Sequence, residues 1–195
     1  MKRATQINKE ALMRANEIER HKKIMQHYIR AKDDNKPHMM QSVFTDSATL
    51  EMKVKTGSIS FPGHSIGLSD ITNVLVRNFS KTYENVYTFC LSDSLDSQDR
   101  AISCDWLVGM SERDGGNIRI GCGRYNWIFN DEKNQLANHL TIIIEQMLVF
   151  TPEHTKQIME WLGDMSYPFC DSKTALQSMP DLDPLKIIRN YIECI

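Results

Sequence analysis

The N-terminal part of the chain carries apolar side chains at steps of three and four positions. The recurring positions are Ile7, Ala11, Ala15, Ile18, Met25 and Ile29. This spacing predicts one face of a long amphipathic helix. A polar turn at residues 32–36 ends the pattern, and Pro37 suits the first position of a short second helix that ends near Phe44.

Two short segments that follow, 49–55 and 58–61, are rich in strand-forming residues and flank Gly57. They predict a pair of short strands. Helical spacing then returns from Ile71, so we expect a third helix to run to about Tyr83. The chain therefore opens with helices and short strands before any long strand appears.

Four longer segments with strand character occupy the second half of the chain. They are residues 86–91, 101–110, 117–129 and 135–150. Short polar connections between them favour antiparallel neighbours. Most of these segments exceed the usual length of a strand, which indicates a bent sheet with bulges, and Gly121 and Gly123 are the candidate bulge positions.

The tail is predicted to be helical at two places. Thr151 followed by Pro152 and Glu153 has the order of residues that a helix start prefers, and the Asp183-Pro184 pair repeats this signal. We interpret residues 164–182 as a loop. The predicted fold class is therefore α+β, with helices packed on a strongly curved antiparallel sheet and extra helices that cover a pocket mouth or an oligomer interface.

Composition narrows the function classes. The formal net charge of −2 argues against a nucleic-acid partner, and the Lys and Arg residues at 20–32 fit a solvated helix face. No apolar stretch predicts a membrane span or a signal peptide. Five cysteines without paired spacing favour reduced thiols in a cytoplasm over zinc binding. Nucleotide and metal motifs are absent from the sequence, so we expect no cofactor.

Two stretches of the sequence resemble the NTF2-like superfamily, and specifically its SnoaL-like domains. Residues 27–52, HYIRAKDDNKPHMMQSVFTDSATLEM, resemble that superfamily's first helix, acidic turn, second helix and first strand. Residues 58–75, SISFPGHSIGLSDITNVL, resemble its next strand, turn and third helix. The resemblance covers residues 7–150 and leaves 151–195 as a helical extension packed on the same domain. It implies a cone-shaped fold, a hydrophobic small-molecule ligand, and a homodimer formed through the convex face of the sheet.

Within the superfamily the sequence is most similar to the SnoaL-like dehydratases. These enzymes carry a Tyr near the end of the first helix and an Asp in the following turn, and Tyr28 and Asp33 match both positions without a gap. The resemblance implies that Tyr28 polarises a substrate oxygen and that Asp33 carries a proton. Each residue also has a structural interpretation, Tyr28 as a core tyrosine and Asp33 as a turn carboxylate.

The histidine that partners this Asp in those dehydratases has no counterpart here. Its position falls near Cys90, a poorer base at neutral pH because an unperturbed thiol has a pKa of about 8.5 against about 6.5 for histidine. Further pocket candidates are His64 in a loop and Tyr125 on a strand. Asp105 alternates with Trp106, so it lies on the opposite face of its strand, which suits either a pocket or solvent.

Two functions from different classes remain open. The first is a cofactor-independent lyase or isomerase, dehydratase-like, that acts on a hydrophobic oxygenated small molecule. The second is a non-catalytic module for small-molecule binding or oligomerisation. The match of Tyr28 and Asp33 favours the enzyme, which we rank first. The missing histidine and the 11 methionines, which could line an adaptable apolar cavity, favour the module.

Overall fold

The computed structural model describes residues 2–132 and 134–195, and for residues 2–11 it describes the backbone alone. Helix α1 spans Lys2–Asp33. Its C-terminal half packs on the sheet, where Met25 and Ile29 are fully buried, whereas Ala15 is exposed. The predicted face is thus correct only in that half, and the side chains of Ile7 and Ala11 lie outside the described residues. No helix in the described part of the chain is both long and apolar enough to cross a membrane.

The remaining elements confirm the four predicted long strands, of which two are longer and two slightly shorter than predicted. A 3₁₀ helix precedes the first strand. Three consecutive helical segments, Leu68–Thr72, Asn73–Asn78 (π-helical) and Phe79–Thr82, together form the predicted third helix. The bounds are Pro37–Ser42 (3₁₀), β1 Phe44–Val54, β2 His64–Ile66, α2 Leu68–Thr72, Asn73–Asn78 (π), α3 Phe79–Thr82, β3 Tyr83–Leu91, β4 Asp96–Gln98, β5 Ala101–Glu112, β6 Ile118–Phe129, β7 Ala137–Phe150, α4 Thr155–Gly163, β8 Phe169–Cys170, α5 Ser172–Gln177 and α6 Lys186–Glu193.

The described strands form one mixed sheet in the order β2-β1-β7-β6-β5-β3-β8, with β4 paired to β5. The meander β3-β5-β6-β7 is antiparallel as predicted, but β1 joins β7, and β8 joins β3, in parallel. The register between β6 and β7 shifts between Cys122 and Gly123, which confirms Gly123 as a bulge position. An added Cβ at Gly123 would overlap the carbonyl oxygen of Ile143, so the bulge requires glycine.

Helices cover both faces of the sheet. On one face α1 and the helical segment 68–82 pack with Trp127, Tyr125 and other aromatic side chains of the long strands. On the opposite face α4–α6 pack against Leu107, Ile120 and their neighbours. The tail helices therefore cover the sheet on the side away from α1.

Two predictions about local structure are wrong. Residues 58–61 form no strand, because the chain crosses above the sheet here and places Ile59 and Phe61 against a cavity instead of pairing. Residues 164–182 are not a plain loop, since they contain β8 and α5. The pairing partner of β8 is the distant strand β3, and local sequence patterns carry no information about such a contact.

Candidate functional site

A cavity of about 50 Å³ lies between the C-terminal end of α1 and the sheet. Most of its lining is apolar, with Met52, Met110 and Met147 among the lining residues. Five of the lining residues carry a polar group, namely Tyr28, Lys32, Thr88, Trp106 and Tyr125. These polar groups make the cavity a candidate site for chemistry on a small molecule.

Two phenols border this cavity. Tyr28 comes from α1 and Tyr125 from β6, and both are almost completely buried, as the helical and strand patterns require. Their rings meet edge to face with centroids 5.8 Å apart, and their hydroxyl groups interact. Burial raises the pKa of both phenols, so both stay protonated at neutral pH and keep a proton to donate.

Asp33 is the last residue of α1, and its side chain is only 1% exposed. Its carboxylate accepts four hydrogen bonds: from Lys32 at 2.6 Å, from the Thr88 backbone at 2.8 Å and hydroxyl at 2.9 Å, and from the Tyr167 hydroxyl at 3.1 Å. Burial raises the pKa of Asp33, while Lys32 and Thr88 oppose that rise. The carboxylate does not line the cavity itself but lies directly behind Lys32 and Thr88.

Lys32 connects Asp33 to the cavity. It is 6% exposed and lines the cavity, although its position in a run of basic residues predicted a solvated helix face. Its ammonium donates to Asp33 at 2.6 Å and to the Thr88 hydroxyl at 2.8 Å, and it lies 4.7 Å from the centre of the Phe79 ring. Two of its three N–H bonds are therefore used within the described residues.

Trp106 borders the cavity from β5. It is 3% exposed, and its ring stacks on Tyr125 with centroids 5.6 Å apart. Among the residues that the structure describes, none accepts a hydrogen bond from its indole N–H. A buried N–H without an acceptor is costly and uncommon.

Three of the predicted pocket residues lie outside the cavity lining. Asp105 faces the opposite side of the sheet, where it accepts from Tyr191 at 2.6 Å and from Arg124 at 2.9 Å. His64 is exposed on the edge strand β2. Cys90 is buried close to Tyr28, and its thiol is hydrogen bonded with that of Cys104, which is the first cause of its raised pKa, followed by burial.

Thr88, two residues before Cys90, is the strand residue that contacts Asp33. The structure thus brings Tyr28 and Asp33 to the same end of α1, as predicted, with Tyr28 in the cavity lining and Asp33 behind it. Lys32 and Thr88 are not among the site residues that the sequence predicted. The position of Lys32, four residues after Tyr28 on the same helix face, was the signal that could have revealed it.

In the described residues, no three His, Cys, Asp or Glu side chains group as metal ligands.

Phe61 and Phe79 separate the cavity from a surface recess of about 210 Å³. Both rings line both spaces. Phe61 belongs to the irregular segment between β1 and β2, while Phe79 begins α3.

Comparison of the sequence with protein-family models and with curated proteins finds no match. Among solved structures, the chain is similar to a type 2 hexachlorocyclohexane dehydrochlorinase, LinA, with a TM-score of 0.56 and 11% identity over 74% of this chain and 93% of that chain. PrhC from Penicillium brasilianum has a TM-score of 0.53 and 9% identity, over 72% of this chain and 85% of its own. Kfla4162 from Kribbella flavida has a TM-score of 0.54 and 12% identity, over 69% and 94%.

These likenesses, at identities this low, concern the fold and not the activity. The order of elements and these neighbours together show that the chain has the NTF2-like fold, which confirms the fold class expected from the sequence. The helices α4–α6 extend that fold along the sheet face opposite α1.

Proposed function

We propose that this protein is a cofactor-independent lyase or isomerase that acts on a small oxygenated hydrophobic molecule. The observation that carries this proposal is the position of the Lys32–Asp33 ion pair. Lys32 lines an apolar cavity that Tyr28 also lines, and the Asp33 carboxylate is buried against the Lys32 ammonium. A buried acid–base pair beside a phenol donor is suited to proton transfer at carbon.

Tyr28 supplies the hydrogen bond to the substrate oxygen in this proposal. Because burial raises its pKa, the phenol keeps its proton at neutral pH. As a proton leaves the neighbouring carbon, negative charge develops on the substrate oxygen. A fixed donor in an apolar cavity stabilises that charge more strongly than water does.

The Lys32–Asp33 pair carries the proton. The 2.6 Å contact between Nζ and Oδ1 lets Lys32 relay a proton, passing one to the carboxylate as it takes one from the carbon next to the substrate carbonyl. Burial favours this step because it raises the pKa of Asp33. Asp33 therefore acts through Lys32 and needs no direct contact with the substrate.

The electron pair freed at that carbon decides the reaction type. In a dehydration it forms a carbon–carbon double bond, the bond to a β-hydroxyl breaks, and the hydroxyl leaves as water with a proton from Lys32. In an isomerisation the double bond shifts, and Lys32 returns the proton to the γ-carbon. Protons and electrons balance in both cases without a cofactor.

A non-catalytic binding module is the second candidate. Two observations favour it: the cavity measures about 50 Å³, below the range of about 300–1,000 Å³ that is usual for ligand pockets, and Asp33 already accepts four hydrogen bonds. Under this alternative the ion pair only holds α1 against β3, and a ligand would bind without reacting.

The test uses two ring ketones of one size, 3-hydroxycyclohexanone for dehydration and cyclohex-3-enone for isomerisation. Both convert to the same conjugated enone, whose ultraviolet absorbance follows the rate. We expect the native protein to accelerate at least one conversion, and Tyr28→Phe or Asp33→Asn to slow it by about 100-fold or more. Asp105→Asn is the control, because that carboxylate lies on the opposite face of the sheet. Full activity in both site variants would refute the assigned roles.

A further inference from the structure

We propose that the free edge of β2 is a docking surface for an extended segment of another protein, in which basic and apolar side chains alternate. This surface lies at one end of the sheet, beyond β1. None of the residues that line it also lines the cavity. The proposal therefore goes beyond the proposed function and does not depend on it.

The hydrogen bonds between β1 and β2 show which groups of β2 are already used. At one end of β2 the Gly67 N–H donates to the Ala48 carbonyl at 2.7 Å. At the other end the Gly63 carbonyl accepts from the Met52 N–H at 2.9 Å. Hydrogen-bonded pairs of an antiparallel ladder recur at every second residue, so Ser65 is the residue of β2 that bonds to β1.

His64 and Ile66 consequently direct their N–H and C=O groups away from β1. Within the described residues, no backbone hydrogen bond uses these groups. A row of unpaired groups on an edge strand is a template for a further strand, and proteins usually cover such an edge. The opposite edge strand, β3, is covered in this way: its Thr88 N–H donates to Asp33, and its Cys90 N–H donates to the Pro168 carbonyl.

A surface recess of about 430 Å³ lies beside the free edge of β2. Its walls are the three residues of β2 and, from the helical segment 68–82, Asp70, Asn73 and Val74. A strand added to β2 would lie in this recess, with alternate side chains on the two faces of the enlarged sheet. In such strand additions the main chain supplies affinity, and the alternate side chains supply specificity.

The two faces of the added strand would meet different side chains. Ser65 stands opposite Leu50, which packs on the α1 side of the sheet, so His64 and Ile66 project from the other face. The side chain of Ile66 is 72% exposed there, and an apolar side chain of the added strand would cover it.

Asp70 selects a basic residue on the helix side. It is exposed in the recess, and none of the ion pairs in the described part of the chain involves it. A lysine or arginine opposite Ser65 would supply the opposite charge. The matching segment therefore carries a basic residue between two apolar ones.

A second copy of this chain is the competing occupant, through pairing of the two β2 strands. The β2 segment is His-Ser-Ile and brings no basic residue opposite Ser65. Two-fold pairing would also place Asp70 of both copies beside one shared edge, where like charges repel. Charge thus favours a foreign basic segment over self-pairing.

The experiment is a titration of the ¹⁵N-labelled protein with the acetylated, amidated peptide Thr-Lys-Val-Lys-Val-Thr, whose lysines lie on one face and valines on the other. We expect the His64 and Ile66 amide resonances to move to lower field and their hydrogen exchange to slow, while the amides of β3 stay unchanged. The peptide Thr-Glu-Val-Glu-Val-Thr is the matched probe of opposite charge, and it should bind ~5-fold more weakly.

Two variants separate the main-chain and charge contributions. Ile66→Pro removes an N–H that points away from β1, so the fold should persist and peptide binding should be lost. Asp70→Lys should reverse the preference, so that the glutamate peptide binds better than the lysine peptide. Asp164→Lys, at an exposed aspartate that ends α4 on the opposite side of the sheet, is the control and should keep the native preference.

Three results would overturn the proposal. The first is a native protein whose His64 and Ile66 amides respond to neither peptide. The second is equal affinity for the two peptides in the native protein and in Asp70→Lys, which tests charge even if Ile66→Pro does not fold. The third is a shift of the same two amides on concentrating the protein without peptide, because β2 would then pair with a second copy.

Discussion

Tyr167 donates a hydrogen bond to Asp33 across 134 positions of the chain, with 3.1 Å between the phenol oxygen and Oδ2. Tyr191 makes the same kind of contact with Asp105 at 2.6 Å on the opposite side of the sheet. Both phenols belong to the segment that follows the last long strand. The C-terminal extension therefore contacts a buried carboxylate on each side of the sheet, and one of these carboxylates is in the candidate site.

Tyr167→Phe removes a donor from Asp33. We expect the pKa of Asp33 to rise further, because the charged carboxylate loses a hydrogen bond, and the free energy of unfolding to fall by about 1 kcal/mol. Carboxyl ¹³C titration and urea unfolding measure the two effects. Tyr191→Phe is the control: it should cost similar stability and leave the pKa of Asp33 unchanged. An unchanged Asp33 pKa in Tyr167→Phe would show that this contact does not act on the carboxylate.

Lys32→Met leaves the carboxylate of Asp33 buried without its cation. We expect a loss of about 3–5 kcal/mol in the free energy of unfolding, because an unpaired buried charge is costly. The double variant Lys32→Met/Asp33→Asn removes both charges and should be more stable than Lys32→Met alone. Urea unfolding of the native protein, Lys32→Met, Asp33→Asn and the double variant gives the coupling between the two sites, and additive losses would contradict a direct interaction.

The five cysteines should react very differently with a thiol reagent. Cys194 is exposed, whereas the other four are buried, and burial raises the pKa of Cys122 to about 12 and of Cys170 to about 11. A thiolate is the reactive form, so we expect one fast thiol in the native protein and all five after unfolding. Cys194→Ser should abolish the fast phase. A second fast thiol would contradict this expectation, because it would show that one of the four buried cysteines is accessible in the native protein.

Because of His21, we expect acidification to lower the free energy of unfolding. Its ring is fully buried and stacks on Phe129 at 3.9 Å, and its pKa is lowered from 6.5, first by burial and then by Arg20, with Glu17 opposing. The unfolded chain therefore binds the proton more readily than the folded protein does. The contribution of His21 is complete above pH 6.5 and is lost as the pH falls below it.

His21→Phe keeps the stacked ring and removes the titrating group. Between about pH 7.5 and about pH 5.5, we expect the free energy of unfolding to fall more steeply for the native protein than for this variant. If the free energy of unfolding falls equally with pH in the two proteins, His21 takes up its proton as readily in the folded state as in the unfolded state, which would contradict this expectation.

Strand positions were predictable from the sequence because long apolar segments with polar connections determine them locally. The segments 101–110 and 117–129 coincide with the cores of β5 and β6. The pairing of β8 with β3 was not predictable, since it depends on a contact between residues far apart in the chain. For the same reason the phenol of Tyr167 could not be placed beside Asp33 from local patterns.

The candidate site was predictable only in part. The family resemblance identified Tyr28 and Asp33, and the strand pattern identified Tyr125. Lys32 was missed because a lysine in a basic run is usually solvated, and its burial depends on Asp33 and Thr88 meeting it in three dimensions. Asp105 faces away from the cavity, and its partner Tyr191 lies on a helix whose packing the sequence did not specify.

The most direct measurement of the central claim is the exchange of the α-protons of cyclohexanone for deuterium, followed by NMR in deuterium oxide. If the Lys32–Asp33 pair moves protons at carbon, the native protein accelerates exchange above the buffer rate. The double variant Lys32→Met/Asp33→Asn, which retains an uncharged pair at the same place, should then return exchange to the buffer rate. Equal exchange by the double variant and the native protein would contradict the account, because the proton would then move through another group.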